Sequence, residues 1–475
     1  MVNVKKLEKI STHYGNPYKE TFFPKGSYIK DIFKDFKENK EVFTAGRVIA
    51  KREHGKSSFA HISDVSAKAQ LYLRKDILKD DYELFKEIDV GDIVGVKGEL
   101  FKTKTGEPTI LVKELKLLAK SLRPLPEKWH GLKDVEIRYR QRYLDLISNA
   151  SVRQIFFRRP LIINSMREFF HKKDYIEVET PILQTIPGGA SGAPFVTHHN
   201  SFDIDVYLRI APELYLKRLL VGGFDRVFEI NKNFRNEGFS VRHSPEFTML
   251  EAYCAYQNYE YMMNLCEELF LFLLDKLELS LNLKYQGKQI DFAPPWLRIS
   301  FAELFKEEFG VFPEDDQDTV CDKICRKLNL SIQQLSRTQL INITEELIEK
   351  KYPLDKPVFV IDFFSWTAPL AKSKKDNPYI LERFELFIGG MEIANSYSEL
   401  NDPIEQRKRL LEQIKQEEEL PKKIDEDFLV GLEHGMPPAA GLGIGIDRLI
   451  MLFLDQSSIR DVILFPLLKP QNIDD

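Results

Sequence analysis

Three stretches of the chain concentrate side chains able to hold a charged, partly flat ligand. The first is Phe234-Arg235-Asn236-Glu237-Gly238 followed by Val241-Arg242-His243-Ser244-Pro245-Glu246-Phe247-Thr248-Met249-Leu250-Glu251-Ala252-Tyr253. The pattern predicts a strand over Arg226 to Arg235, a loop over Asn236 to Ser244 and a returning strand over Glu246 to Tyr256. Alternate strand residues share a face. Phe247, Met249, Glu251 and Tyr253 then face one way, and Thr248, Leu250 and Ala252 the other, against a helix. A face with an aromatic, a carboxylate and a phenol suits a ligand with a flat part and a cationic part. Arg235 can clamp a phosphate or a carboxylate bidentately, although a lone Arg-x-Glu more often makes a surface ion pair.

The second stretch is Leu381-Glu382-Arg383-Phe384-Glu385-Leu386-Phe387-Ile388-Gly389-Gly390-Met391-Glu392-Ile393-Ala394-Asn395-Ser396-Tyr397-Ser398-Glu399. The sevenfold spacing of Glu385, Glu392 and Glu399 would align them on a helix, but Gly389-Gly390 between two β-rich runs favours a two-residue hairpin turn. Ile388 then pairs with Met391 and Phe387 with Glu392, so Glu385 lies diagonally from Glu392 at about 7–8 Å. Two carboxylates so placed can reach one hard cation, with Mg²⁺ beside a nucleotide phosphate as the usual guest. Strict alternation puts Asn395, Tyr397 and Glu399 on the opposite face. If all serve one site, the strand bulges or ends between Glu392 and Asn395.

The third stretch is Ala440-Gly441-Leu442-Gly443-Ile444-Gly445-Ile446-Asp447-Arg448-Leu449. Alternate glycines let something approach a strand closely, and a glycine-rich packing seam is an equal alternative. Arg448, at the start of an apolar helical run, could hold a phosphate. Neither a Walker loop nor a dinucleotide fingerprint is present.

These segments need a large framework. The chain has 475 residues, a net charge of −5, 43% hydrophobic and 30% charged residues, which suits two or three soluble domains. No apolar stretch reaches bilayer length, and the polar start, Met1 to Lys9, is not a secretory signal. Cys254, Cys266, Cys321 and Cys325 match no paired zinc spacing and fit buried thiols in a reducing, cytoplasmic setting. Residues 1–40 read as a partly helical extension, with a helix near Ile29 to Phe36. Short β-rich runs at Val42 to Ala50, Ser58 to Ile62, Ala69 to Leu73, Ile93 to Leu100 and Pro108 to Val112 predict a five-stranded barrel over 41–120. Such a barrel can stack single-stranded bases on aromatics and read their edges with amides. Arg52, Phe59 and Gln70 are placed for this, although each alone is as well explained by packing or solvent exposure. A linker over 121–145 opens with the stiff Leu122-Arg123-Pro124-Leu125-Pro126. A mixed α/β domain over 146–475 follows, with a helical insertion around 260–350. Amphipathic helices are expected over 259–275 and 320–350, and a charged, solvent-facing one over 404–419.

In this order, the three stretches resemble motifs 2 and 3 of the class II aminoacyl-tRNA synthetases, with Tyr175-Ile176-Glu177-Val178-Glu179-Thr180-Pro181 similar to motif 1. Within the class the lysyl-tRNA synthetases are the nearest match. The strings that carry it are Leu122 to Pro126, His130-Gly131-Leu132-Lys133-Asp134, Arg138-Tyr139-Arg140-Gln141-Arg142-Tyr143, Arg209-Ile210-Ala211-Pro212-Glu213-Leu214-Tyr215-Leu216-Lys217 and Ser398-Glu399-Leu400-Asn401-Asp402. The resemblance implies an α+β protein: an N-terminal OB-fold barrel for the anticodon and a C-terminal antiparallel sheet flanked by helices. It implies lysine, ATP and tRNA(Lys) as substrates, Mg²⁺, and a homodimer through the region near Pro181. It places ATP on Arg235, Glu237, His243, Phe247, Gly445 and Arg448, with Arg235 and Arg448 catalytic, and Mg²⁺ on Glu385 and Glu392. The lysine α-amino group falls to Glu213 and the backbone at Gly189. Glu251, Tyr253 and Glu399 surround the ε-ammonium, with Asn395 and Tyr397 lining the pocket, and Arg52, Phe59 and Gln70 read the anticodon.

Two features depart from the pattern. Pro160 lies inside the amphipathic run Val152 to Phe170, which predicts a break near Arg158–Arg159 and a new helix from Pro160. Met391, Ala394 and Ser396 replace the arginine and two glycines common in bacterial relatives. Three alternatives make different demands on the sequence. An aspartate- or asparagine-charging relative needs a cationic or amide-matched pocket, where this chain offers Glu213, Glu251 and Glu399. A protein-modifying paralogue lacks the barrel. A non-catalytic RNA-binding protein would have lost Arg235, Arg448 or the metal carboxylates.

Overall fold

The computed structural model describes residues 4–126, 132–190, 192–330, 337–352, 354–416 and 423–471; His130, Gly131 and the end of the helix expected over 404–419 lie outside them. The chain divides into two compact units, Met1–Lys133 and Asp134–Asp475.

In the first unit, strands Glu41–His54, Ser57–Ser63, Lys68–Arg74, Ile93–Lys102 and Pro108–Ala119 close a barrel in which the third strand pairs with the fifth and the fourth with the first. Period-two alternation builds it: Val42, Val48, Ala60, Ile62, Leu71, Leu73, Val94, Val96, Ile110 and Val112 point inward and are buried. The helices Lys75–Leu78 and Asp80–Glu87 connect the third strand to the fourth and bury Leu78, Tyr82 and Phe85. The extension adds Ile10, Ile29 and Ile32 to the same core. At Gly98 a Cβ would lie 2.9 Å from an Ile110 methyl carbon, so close strand packing there requires glycine.

The second unit is an eight-stranded sheet. Its strands run in the order Leu297–Ser300, Val358–Ile361, Arg383–Ile388, Met391–Ser398, Ala439–Gly445, Glu246–Ala255, Arg226–Phe234 and Ile176–Glu177. All neighbours are antiparallel except the outermost pair at each end. On one face Leu250, Ala252, Leu386, Ile388, Leu442 and Ile444 bury against Met262, Leu269, Phe270 and Leu273 of the helix Tyr259–Lys276. The other face carries the polar residues of the three motifs. Residues 135–148, partly within the expected linker, form helices Val135–Arg140 and Arg142–Ser148, and Arg142 is fully buried beside Asp145 at 2.7 Å.

The break expected before Pro160 does not occur, because one helix runs from Ala150 to Lys172 with Pro160 inside it. The proline removes one hydrogen bond to the Phe156 carbonyl, a cost of about 3 kcal/mol. Val152, Ile162, Met166, Phe169 and Phe170 are buried on either side of it, at about 2 kcal/mol each, so packing decides in favour of continuity. Arg159, just before the proline, is also anchored, donating to Asp447 at 2.6 Å and Thr248 at 3.1 Å.

Candidate active site

The central strands meet the requirement for one shared face. In the hairpin Arg383–Ile388/Met391–Ser398, Gly389 and Gly390 have φ of 59° and 78°, a turn conformation that glycine adopts without strain. Ile388 pairs with Met391 and Phe387 with Glu392, and then the register slips: Leu386 pairs with Ala394 and Glu385 with Asn395. The unpaired Ile393 is a bulge. It restores Asn395, Tyr397 and Glu399 to the side of Glu385 and Glu392, as the sequence demanded if all were to serve one site.

The glycines of Ala439–Gly445 lie between two rows of functional side chains. Gly441 pairs with Tyr253 and Tyr397, Gly443 with Glu251 and Asn395, and Gly445 with Met249. A Cβ on Gly441 would lie 2.5 Å from the Tyr253 ring and closer still to Glu399 Oε1. The alternate glycines are therefore a trough into which neighbouring side chains lean.

Fifteen sequence-selected residues line one cavity of about 1490 Å³ over this face: Gly189, Glu213, Arg235, Glu237, His243, Phe247, Glu251, Tyr253, Glu385, Glu392, Asn395, Tyr397, Glu399, Gly445 and Arg448. Its two halves differ in charge. In the acidic half Glu213, at the start of the helix Glu213–Val221, accepts from Tyr397 Oη at 2.6 Å and from Lys217 Nζ at 2.6 Å. Lys217 also forms an ion pair with Glu399. Neither Glu399 oxygen has a hydrogen-bond partner among the described residues; Oε2 makes only the ion-pair contact. Among the described residues Glu251 accepts a single long bond, from Tyr253 Oη at 3.3 Å. Gly189, at φ 86°, passes so close that a Cβ on it would lie 2.9 Å from Glu213 Cβ.

Burial dominates the electrostatics there. It pushes the Glu251 carboxyl up to about 8, with the charges of Glu213 and Glu229 adding to the shift. Burial pulls the Lys217 ammonium down, but Glu213 and Glu399 outweigh it and raise its pKa above the ordinary 10.5. Lys217 therefore stays charged, while Glu251, without a cation, holds a proton at neutral pH.

In the basic half Arg235 stacks on Phe247, its guanidinium carbon 5.1 Å from the ring centre. Arg448 donates to the Glu392 carbonyl at 2.7 Å and contacts its carboxylate at 3.4 Å. It also meets His243 Nε2 at 2.8 Å. Burial, then the Arg448 charge, lowers the His243 pKa to about 4, so the ring is neutral. Because Arg448 can only donate, Nε2 is the acceptor and Nδ1 carries the proton toward Ser240 Oγ at 2.8 Å. Glu237 follows Arg235 in the loop, its amide donating to the Arg235 carbonyl at 2.8 Å.

Sequence reasoning gave no role to several residues placed here. Lys217 lies four positions after Glu213, a helical spacing that brings opposite charges together. Arg383 lies two positions before Glu385 on the same strand face; it is buried, pairs with Glu385, donates to Asn395 Oδ1 at 3.3 Å and sits 4.4 Å over the Phe363 ring. Glu345, on the helix Arg337–Lys351, accepts from Arg242 at 2.9 Å and from the Glu392 amide at 3.4 Å. No sequence signal joins Glu345 to the motifs.

For a metal, the donor set is two carboxylates, Glu385 and Glu392, on one face. No group of three or more His, Cys, Asp or Glu side chains suited to a metal occurs among the described residues. Two carboxylates suit an ion that takes its other oxygens from a bound phosphate and from water.

The barrel residues form a separate outer surface. Arg52 pairs with Phe59, Phe59 with Tyr72, and His61 with Gln70. The Phe59 and Tyr72 rings stack at 4.8 Å, and Phe101 lies 5.8 Å from Tyr72. Gln70 is held by Glu107 at 2.8 Å and Thr109 at 2.7 Å. Tyr72 and Phe101 extend the aromatic surface beyond the single ring that the sequence singled out.

Comparison with known proteins agrees with both units. Residues 134–469 match the model of the family described as tRNA synthetases class II (D, K and N), and residues 42–118 that of the OB-fold nucleic acid binding domain. The chain is 51% identical over 465 residues to "Lysine--tRNA ligase" of Thermoanaerobacter sp. (strain X514), covering 96% of this chain and 93% of that protein. It is 49% identical over 480 residues to the protein of that name from Carboxydothermus hydrogenoformans, covering 99% and 98%. Against that of Thermosipho africanus it is 48% identical over 485 residues, covering 99% and 96%.

Proposed function

Because the chain belongs to the lysine–tRNA ligase family of class II tRNA synthetases, we propose that the acidic half of its cavity takes lysine and the basic half takes ATP. The chain activates lysine with ATP and transfers it to tRNA. The observation that carries the assignment is the burial of three carboxylates, Glu213, Glu251 and Glu399, in a cavity that Arg235 and Arg448 also line.

Lysine lies with its α-amino group at Glu213 and the Gly189 backbone, and its ε-ammonium between Glu251, Glu399 and the Tyr253 phenol. Asn395 and Tyr397 line the stem. Desolvating an ammonium is costly unless acceptors replace its water, and the unpartnered Glu399 Oε1 is such an acceptor. A neutral side chain of equal length would leave Glu251 and Glu399 unmatched, which is the strong form of discrimination. Adenine stacks on Phe247, with Glu237, His243 and Gly445 around the nucleotide. Arg235 spans the α-phosphate and the lysine carboxylate, and Arg448 holds the γ-phosphate.

The first step needs no protein nucleophile. A lysine carboxylate oxygen attacks the α-phosphorus, the bond from that phosphorus to the β-bridging oxygen breaks, and pyrophosphate leaves with the electron pair. Arg235 neutralises charge gathering on the α-phosphoryl oxygens and fixes the attacking carboxylate in line. Mg²⁺, held by Glu385 and Glu392 with phosphate oxygens, would neutralise charge on the polyphosphate; Arg383 keeps Glu385 turned into the cavity. In the second step a terminal ribose hydroxyl of tRNA attacks the lysyl carbonyl and AMP leaves.

The remaining assignments are part of the same reading. Residues 41–120 form the anticodon-binding domain, with Phe59 stacking a base and Arg52 and Gln70 beside it, and residues 146–475 the catalytic domain. The exposed Ile176, Ile182 and Leu183 in and beside motif 1 suit a homodimer contact. Among the described residues no helix is long and apolar enough to cross a membrane, and the four cysteines are buried and outside any disulfide, which suits the cytoplasm. The test is amino-acid-dependent pyrophosphate exchange with all twenty amino acids. Lysine is expected to give the dominant signal; exchange with aspartate or asparagine and none with lysine would overturn the specificity.

A further inference from the structure

The acidic half contains a cation of its own. Lys217 is fully buried, on the second turn of the helix Glu213–Val221. Its ammonium contacts Glu213 Oε1 at 2.6 Å and Glu399 Oε2. The rings of Tyr397 and Phe428 flank it at 5.6 and 6.0 Å. It thus joins the carboxylate assigned to the α-amino group to one assigned to the ε-ammonium. We propose that Lys217 is a positioning residue for substrate selection, a strut whose single ammonium fixes the separation of these two receptors and balances the third carboxylate of the pocket.

Charge and geometry both lead there. Glu213, Glu251 and Glu399 are all at most 5% exposed, and an uncompensated charge at such depth is strongly unfavourable. Lysine brings two ammonium groups, and its carboxylate goes to Arg235. Three carboxylates against two substrate cations leave one negative charge unmatched, and Lys217 supplies the missing cation. An ammonium has three donors and no acceptor. One goes to Glu213 and the charge also faces Glu399 Oε2, which restrains both carboxylates. With Oε2 held by Lys217, Glu399 turns Oε1 toward Gly441 and Tyr253, into the trough where the ε-ammonium would lie. The reach from Glu213 to Glu399 is then set by the protein before lysine arrives. A chain one methylene shorter, as in ornithine, meets these fixed receptors less well.

The inference rests on the lysine-binding reading, and its test separates the two. Lysine- and ornithine-dependent pyrophosphate exchange is measured on the full chain and on Lys217→Met, with thermal melting as a check of folding. In Lys217→Met the lysine KM is expected to rise about 30-fold or more, as for removal of one partner of a buried ion pair. The ATP KM should stay within about twofold and the preference for lysine over ornithine fall at least about tenfold, because the fixed spacing that sets it is gone. A purely structural role would lower the active fraction and leave both KM values and the preference unchanged. Should Lys217→Met fail to fold, Lys217→Arg decides. It keeps the charge but its wider head displaces the two carboxylates, so the preference over ornithine is expected to fall at least about fivefold. Wild-type protein that does not exchange with lysine would overturn the underlying reading. Wild-type exchange together with an unchanged lysine KM and preference in Lys217→Met, or an unchanged preference in Lys217→Arg, would overturn the role of Lys217 alone.

Discussion

Replacing Glu251 with glutamine preserves the shape of the side chain and removes its charge, and the structure assigns that change two opposite effects. The unfolded carboxyl ionises above its ordinary 4.5, and in the folded protein burial, then Glu213 and Glu229, delay ionisation to about 8. Folding therefore takes up a proton between those values, and stability falls as pH rises through that window. At pH 7 the cost is ~3 kcal/mol, from roughly 2.5 pH units at 1.36 kcal/mol each. Glutamine carries no such cost, so ligand-free Glu251→Gln should melt about 4 °C higher than wild type at pH 7, given the entropy of unfolding for a unit of this size. The gap should shrink at pH 5. Lysine binding reverses the preference, since the ε-ammonium needs the ionised carboxylate. Wild-type kcat/KM for lysine should climb with pH up to about 8, approaching tenfold per unit, as binding expels the Glu251 proton. The variant should lose that slope, and its lysine KM should rise about 100-fold with the ATP KM little changed. Differential scanning calorimetry at two pH values and pyrophosphate exchange from pH 6 to 9 read both effects. A variant less stable than wild type at pH 7, or one that keeps the lysine KM and the pH slope, would refute the reasoning.

Three further outcomes follow from the geometry. Gly441→Ala puts a methyl group against Tyr253 and Glu399 Oε1; lysine KM should rise at least about tenfold, from an overpacking cost of ~1–3 kcal/mol, while the ATP KM stays near wild type. Arg448→Ala removes the contacts to His243 and Glu392 and should raise the ATP KM and lower kcat in exchange, leaving lysine affinity measured by calorimetry unaltered. Phe59→Ala removes a ring of the barrel's outer stack; KM for tRNA in aminoacylation should rise about tenfold or more, at ~1–3 kcal/mol per stacked base, with lysine-dependent pyrophosphate exchange unchanged.

Much of the site was legible because its parts are local. The pairing of Glu392 with Phe387 follows from Gly389-Gly390, and the need for a bulge follows from the parity of Glu385, Glu392 and Asn395. The barrel strands are visible as period-two runs between glycines and charges. What escaped depends on contacts between distant segments. Glu345 reaches Arg242 and the Glu392 amide from a helix whose sequence shows only amphipathicity. Lys217 lies one helical turn after Glu213, but its second carboxylate, Glu399, is 182 positions away. The break expected at Pro160 failed for a related reason: local propensity opposes the helix there, and burial of its apolar side chains outweighs one lost hydrogen bond. Local rules also left the alternate glycines of Ala439–Gly445 open between a packing seam and a ligand trough; in the structure the Tyr253 and Glu399 side chains lie over Gly441.

The most direct test of the division of the cavity is a crystal structure with a non-hydrolysable lysyl-adenylate analogue. The ε-nitrogen is expected between Glu251 and Glu399, the α-amino group at Glu213 and adenine on Phe247, with the Lys217 ammonium still bridging Glu213 and Glu399. An ε-nitrogen directed away from both Glu251 and Glu399, or adenine bound at the acidic end, would contradict it.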